Sequence, residues 1–247
     1  MLRQIEPSVA RLARRAGNQL IDLLGRDERD ALAGSLRRMT IRSGEDADAL
    51  AGEPCFWLPE TAILSFGVLL DARQVECGIV GREGALGWEP LLGLGVREQR
   101  IAALTGGTLL GAPVGVLAAF AQTHGSLAAT LLRFREALDA QMRWTIAARL
   151  QCGPEARLAR WLCMLHDRVD GDTLDITHLR LAAFLNARRA SITDALHILE
   201  GNHVLRCTRG RITVRDRGAL EAAAAGSYGA PEALYRQLFT RSRALRG

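Results

Sequence analysis

Lysine is absent from this 247-residue chain, and all 32 of its basic residues are arginine. Arginine suits phosphate and guanine contacts. A GC-rich coding sequence accounts for most of the bias, however, so no function follows from it. Cysteine is scarce: Cys55, Cys77, Cys152, Cys163 and Cys207 make an odd number with no CxxC pair. That excludes a disulfide framework and a zinc ribbon, and it fits a reducing compartment. Cys163 and His166 stand three apart on a helical stretch, but two ligands are too few for a structural metal site. A cysteine buried in a core helix is the better reading. Long apolar runs are missing as well. The longest, near Ala62–Leu70, is far too short to span a membrane. The N-terminus has four arginines in its first 15 residues and no apolar segment of signal-peptide length. The expectation is a soluble, cytoplasmic protein without membrane contact. Catalytic patterns are lacking too. There is no nucleophile–base pair, metal cluster or phosphate loop at useful spacing, and Gly81, Gly84 and Gly87 do not make GxGxxG after a strand. Neither an enzyme nor a cofactor is expected.

What is present is unevenly distributed. The formal net charge is +5, yet residues 1–153 balance 17 arginines against 17 acids. Residues 154–247 hold 15 arginines against 10 acids, so the whole excess lies there. A neutral N-terminal part joined to a basic C-terminal part fits a nucleic-acid module attached to something else.

The basic part is organised around Thr177–Val214. Thr177 is a suitable helix N-cap, and Leu181, Phe184 and Leu185 then recur at helical spacing. Asn186 tolerates a left-handed turn. A second helical pattern begins at once, with Ile192, Ala195, Leu196 and Leu199 on one face. Two short helices joined by a tight turn make a helix-turn-helix. The second helix opens with Arg188, Arg189, Ser191 and Thr193, where a recognition helix meets base edges. Arginine there can bind guanine O6 and N7 through two bonds. Two short strand-like runs within Val204–Val214 then flank a turn carrying Arg209-Gly210-Arg211, which reads as a basic β-hairpin wing for phosphate. Thr177, His178, Arg209 and Arg211 are the candidate phosphate contacts.

Before that segment, a basic helix is expected over Met1–Gly17, with further helices near Asn18–Leu24 and Asp27–Leu36. Between Arg38 and Ala112, short β-type runs alternate with Gly, Pro and Asp, which suggests a sandwich or small barrel. Ser126 is placed to cap a long helix reaching Gln151, about 40 Å at roughly 1.5 Å per residue. Its stripe of Leu127, Leu131, Phe134, Leu138, Thr145 and Ala148 fits either an intramolecular core or a dimer seam. The seam is favoured, with Gln141 as the polar residue that sets register. A final helix is expected over Pro231–Leu245.

Several of these stretches together resemble the Crp/Fnr superfamily of bacterial transcription regulators. They are Arg157-Leu158-Ala159-Arg160-Trp161-Leu162, Thr177 through Asp216, Leu58-Pro59-Glu60-Thr61-Ala62-Ile63, and Val80-Gly81-Arg82-Glu83-Gly84-Ala85-Leu86-Gly87. The resemblance implies an α+β chain with a cyclic-nucleotide-binding-like β-roll over 18–125 and a dimerisation helix over 126–152. A winged helix-turn-helix over 154–225 and a C-terminal extension over 226–247 would complete it. It places Arg189 on the family's guanine-reading arginine. Ala190 stands where many members have glutamate, Asp194 where many have arginine, and Arg188 where many have serine, so the half-site should differ from the best-known ones. Members that bind cyclic AMP use a Gly-Glu pair and an Arg-Ser pair. Here Glu83 comes directly after Arg82, and neither of the candidates Arg97 and Arg100 precedes a Ser or Thr. With no cysteine before Cys55, the iron–sulfur cluster of the oxygen-sensing branch is not expected. The implied function is a homodimeric regulator of double-stranded DNA that addresses RNA polymerase, its effector unidentified. The competing reading is a ligand sensor whose C-terminal domain engages a protein partner.

Overall fold

The computed structural model of the chain describes residues 17–53, 55–71, 73–89 and 100–244. Apart from Gly17, the expected N-terminal helix lies outside them, as does Arg97. Two short helices come first, α1 (Gln19–Asp22) and α2 (Arg26–Ala33). Asn18 caps α1 and donates its amide to the carbonyls of Pro59 and Gly84, which docks the helix onto the β-rich part of the chain. Next come β1 (Arg37–Ile41), α3 (Ala47–Ala51), β2 (Cys55–Pro59), β3 (Ile63–Leu70), β4 (Arg73–Val80), β5 (Arg100–Thr105) and β6 (Gly107–Pro113). Among the described residues these strands form two antiparallel sheets, in the orders β1-β6-β2 and β4-β3-β5. The short apolar runs of the sequence thus become the β-roll.

Successive strand residues point to opposite faces, and the second sheet buries both of its faces. Leu64, Phe66, Val80, Ile101 and Ala103 face the β-roll core. Their neighbours Ile63, Ile79 and Leu104 belong to the core of the C-terminal domain. The two halves of the chain are therefore packed against each other through one sheet.

Two helices lead on from β6, α4 (Val114–Thr123) and the long α5 (Gly125–Gln151). Ser126 sits inside the first turn of α5 rather than at its cap, and its hydroxyl bonds the Glu28 carboxylate. The expected dimer seam is corrected here. Leu127, Leu131, Phe134, Leu138, Thr145 and Ala148 are all buried within their own chain. Gln141 is fully buried as well, and its amide binds a strand instead of setting register. Its Oε1 accepts the Ile79 N–H at 2.8 Å, and its Nε2 donates to the Ile79 carbonyl at 3.1 Å. Strand β4 lies at the edge of its sheet, so this side chain supplies the bonds a neighbouring strand would make.

The remainder comprises α6 (Pro154–His166), β7 (Thr173–Leu174), α7 (His178–Leu185), α8 (Arg189–Gly201), β8 (Leu205–Thr208), β9 (Arg211–Val214), α9 (Arg217–Ala223) and α10 (Ala230–Ala244). The three strands pair in the order β7-β9-β8. Helix α10 turns back onto α5. Tyr235 and Leu238 join the β-roll core, and the Tyr235 ring lies 6.0 Å from that of Phe134. No single helix among the described residues is long and apolar enough to cross a membrane.

Replacing Gln141 with leucine keeps the volume but leaves the N–H and C=O of Ile79 buried and unpaired. At about 1–3 kcal/mol for each of the two orphaned groups, we expect urea unfolding to show a loss of about 2–6 kcal/mol. A loss below about 0.5 kcal/mol would mean that the clamp contributes nothing to stability.

Candidate nucleic-acid interface

Local chemistry builds the helix-turn-helix. Thr177 lies in the extended region, and its Oγ accepts the Arg180 N–H at 3.3 Å, starting α7. Helix α7 stops at Asn186, which takes the left-handed conformation at φ 46°. The Asn186 and Ala187 N–H groups return to the carbonyls of Ala183 and Ala182, which closes the turn. Arg188 then precedes α8 with an extended backbone and caps nothing with its side chain. The first-turn N–H groups of α8 are left without a side-chain acceptor, an arrangement open to anions. Ile192, Ala195, Leu196 and Leu199 bury the inner face of α8.

That orientation fixes what the outer face presents. Arg188 and Arg189 are exposed, and Ser191 and Thr193 half-buried. The side chains of Arg188, Arg189 and Arg209 have no hydrogen-bond or ion-pair partner among the described residues. Arg209 stands at the tip of the β8–β9 hairpin, where Thr208 pairs with Arg211 and Gly210 turns the chain at φ 76°. Arg211 is engaged differently from Arg209, since its Nε donates to Asp175 at 2.8 Å. His178 is half-buried, with Nδ1 3.5 Å from the Thr193 hydroxyl. Burial pushes its pKa below the ordinary histidine value, and Arg189 and His197 push it in the same direction. The unbound protein therefore favours the neutral imidazole at neutral pH. The candidate DNA contacts thus fall into one exposed set on α8, one at the start of α7 and one on the wing.

The ligand candidates do not lie free. Glu83 accepts Arg168 Nε at 2.8 Å, a buried ion pair, and also the Gly81 N–H at 3.1 Å. Arg100 donates to Asp46 at 2.9 Å. To hold a ligand, each would have to leave a partner it already has.

Two residues that sequence reasoning missed tie the C-terminal domain to the β-roll. Arg168, just past α6, binds Glu83 through Nε and the Met164 carbonyl through Nη1. Arg180, on α7, donates Nη1 to the Ser43 hydroxyl at 2.7 Å and to the carbonyls of Ala103 and Leu104 at 3.0 Å each. Arg82 and Asp170 add an ion pair at 2.9 Å. No spacing in the sequence marks these arginines apart from the solvated ones.

Comparison with known proteins agrees with this geometry. Residues 156–223 match the family model of the Crp-like helix-turn-helix domain. The chain carries a Crp-like helix-turn-helix domain. Its fold is that of a transcriptional regulator of the Crp/Fnr family from Eubacterium rectale, 17% identical, with 85% of this chain and 99% of that one covered and a TM-score of 0.63. FixK2 from Bradyrhizobium japonicum is 15% identical over 76% of this chain and 96% of its own, with a TM-score of 0.62. A Crp-family transcriptional regulator from Thermus thermophilus is 22% identical over 78% and 96%, at 0.56. No curated protein matches the chain. The helix-turn-helix and wing thus lie within a Crp-like helix-turn-helix domain, and the β-roll, long helix and C-terminal domain share the fold of these regulators.

Cys207, on the wing, donates its N–H to Glu200 Oε1 at 2.8 Å. Burial, with the Glu200 carboxylate beside it, pushes its thiol up to about 11. Only the thiolate reacts, so at pH 7.5 iodoacetamide should label Cys207 at least about tenfold more slowly than an unfolded-chain cysteine. The rate should go on rising about tenfold per pH unit up to about pH 11, where an unfolded-chain cysteine has already levelled off. Peptide mass spectrometry reads this, and labelling at the unfolded rate would refute the inert assignment.

Proposed function

We propose that this Crp/Fnr-type transcription regulator binds a two-fold-symmetric site on double-stranded DNA as a homodimer. The observation that carries the reading is the outer face of α8, where Arg188 and Arg189 stand exposed and unpaired on a helix whose inner face is locked into a core. Arg189 reads a guanine through two bonds, and Arg188, Ser191 and Thr193 meet the neighbouring base edges. Thr177, His178, Arg209 and Arg211 hold phosphates, with Arg211 exchanging Asp175 for the DNA backbone. A sensor-like part over 18–125, a dimerisation helix over 126–152, the winged helix over 154–225 and an extension over 226–247 complete the organisation. RNA polymerase is the partner this reading implies.

The α5 surface supports the dimer. Leu132, Ile146 and Leu150 are 58%, 60% and 76% exposed. At about 100° per residue, all three fall on one stripe, opposite the face that packs on the β-roll. Arg143 and Glu136 pair at 2.8 Å between them, giving a seam with apolar ends and a charged middle. A dimer joined there presents two recognition helices to half-sites about one helical turn apart, roughly 34 Å.

Two measurements test this. In selection from random DNA, Arg189→Ala should lose about 1–3 kcal/mol of discrimination at one guanine in each half-site, with the dimer intact by sedimentation. Unchanged selectivity would show that α8 is not the reading element. Ile146→Asp combined with Leu150→Asp should sediment as a folded monomer with DNA affinity reduced by at least about a hundredfold. A variant that stays dimeric would place the seam elsewhere.

A further inference from the structure

A cavity of about 520 Å³ lies between the β-roll and helix α7, of a size typical of small-molecule sites. One wall comes from the sheet β4-β3-β5 and contains Ser65, Gln74 and Glu76. The facing wall is apolar, from Leu179, Ala183 and Phe184 of α7, and Leu104 adds to it from the sheet side. Arg180 also lines it, but Nη1 of that guanidinium is already held by Ser43, Ala103 and Leu104. The acid on the opposite wall is not so satisfied. Glu76 Oε1 accepts the Gln74 amide at 3.0 Å, while Oε2 is buried with no hydrogen-bond donor.

A β-bulge puts that carboxylate there. The register runs Phe66–Gly78 and then Gly67–Glu76, leaving Cys77 as an extra residue in β4. In unbroken alternation Glu76 would share a face with Gly78 and Val80, and Val80 belongs to the β-roll core. The extra residue shifts Glu76 to the face of Ser65, toward α7, and bulges commonly re-aim a side chain in this way. Gly67 is what permits it, because a Cβ there would lie 2.3 Å from the Val75 carbonyl oxygen. The sequence thus maintains a local irregularity whose effect is to hold an acid at the cavity wall.

We infer that this interdomain cavity binds a small organic cation, an ammonium carried on an apolar or aromatic body, with Glu76 as its counter-ion. The ammonium supplies the donor that Oε2 lacks, after the carboxylate turns about its Cγ–Cδ bond toward the cavity. The apolar body lies against Leu179, Ala183 and Phe184. Burial raises the Glu76 pKa against the opposing Gln74, Ser65 and Arg180, so an ammonium beside it would restore the charged form; the Ser65 hydroxyl itself donates to the Ala102 carbonyl at 3.3 Å. Such a ligand touches the β-roll and the first helix of the helix-turn-helix at once. The site is separate from Glu83 and does not depend on how the chain reads DNA.

Isothermal titration of the full chain with 2-phenylethylamine, and with its neutral counterpart 2-phenylethanol, tests the assignment. The amine should bind at least about tenfold more tightly than the alcohol. Glu76→Gln, which keeps shape and removes charge, should erase that preference. Ala183→Trp, which fills the cavity from its exposed wall, should abolish binding of both, with circular dichroism unchanged in each variant. Equal binding of amine and alcohol, unchanged amine binding in Glu76→Gln, or no amine binding by the unsubstituted chain would each overturn the proposal.

Discussion

The amide of Gln141 is the junction on which the packing of this chain depends. It closes the edge of β4 by accepting from and donating to one residue, Ile79. The same Nε2 reaches the Tyr235 hydroxyl on α10 at 3.3 Å. The Gln141 backbone carbonyl receives Arg160 Nη2 from α6 at 3.2 Å and the Thr145 hydroxyl at 2.8 Å. Arg160 is fully buried, and burial lowers its pKa. Among the described residues it has no carboxylate at ion-pair distance; carbonyl, hydroxyl and thioether acceptors hold it, the Glu232 charge acts from farther off, and its buried Nε has no acceptor. A buried cation held this way is costly to disturb. One glutamine therefore fixes an edge strand, the long helix, the first helix of the C-terminal domain and the returning terminal helix to one another.

From that junction the contacts run toward the DNA-binding domain. Tyr235 lies beneath the Arg168 guanidinium, 5.9 Å from its ring centre. Arg168 reaches across to Glu83, at the end of the strand that Gln141 caps. The arginines of this lysine-free chain thus serve two purposes. Arg160, Arg168 and Arg180 are spent inside the protein on carbonyls and one carboxylate, where a planar fork with several donors satisfies more acceptors than an ammonium would. Arg188, Arg189 and Arg209 remain without hydrogen-bond or ion-pair partners among the described residues, as do exposed arginines elsewhere such as Arg37 and Arg133, but these three stand on the helix-turn-helix and its wing. Composition alone cannot distinguish these two sets, because both are simply arginine.

That difference shows which features a sequence can reveal. The helix-turn-helix is readable because each of its signals is local: a threonine that caps, an asparagine that turns left-handed, a glycine at the hairpin tip. The β-roll strands are readable as apolar runs, and Ile63–Leu70 lies within one residue of its expected start. The face of α5 is not readable. A stripe of leucines specifies that something covers it, but whether the cover is a second chain or the chain's own β-roll depends on contacts far apart in sequence. Leu127, Phe134 and Leu138 are core, and the less conspicuous Leu132, Ile146 and Leu150 are exposed. The Cys77 bulge is equally hidden, since one extra residue reverses the face of Glu76 without changing composition. The return of α10 leaves no local mark either, because Tyr235 reads as surface until Phe134 and Gln141 stand beside it.

Helix α7 belongs to both halves of the molecule, and this constrains any signalling. Its N-cap, Thr177, stands three residues before Arg180, which is anchored in β5 and the loop after β1. Its inner face, Leu181, Phe184 and Leu185, shares a core with α8. Eight residues span about 12 Å at roughly 1.5 Å each, too short a rod to bend. Close-packed interiors shift as units rather than deform gradually. A displacement of β5 against α7 therefore cannot be absorbed within the helix. It must either break the three bonds of Arg180 Nη1 or move α8 with it. The same sheet that closes the β-roll core consequently sets the position of α8 through α7.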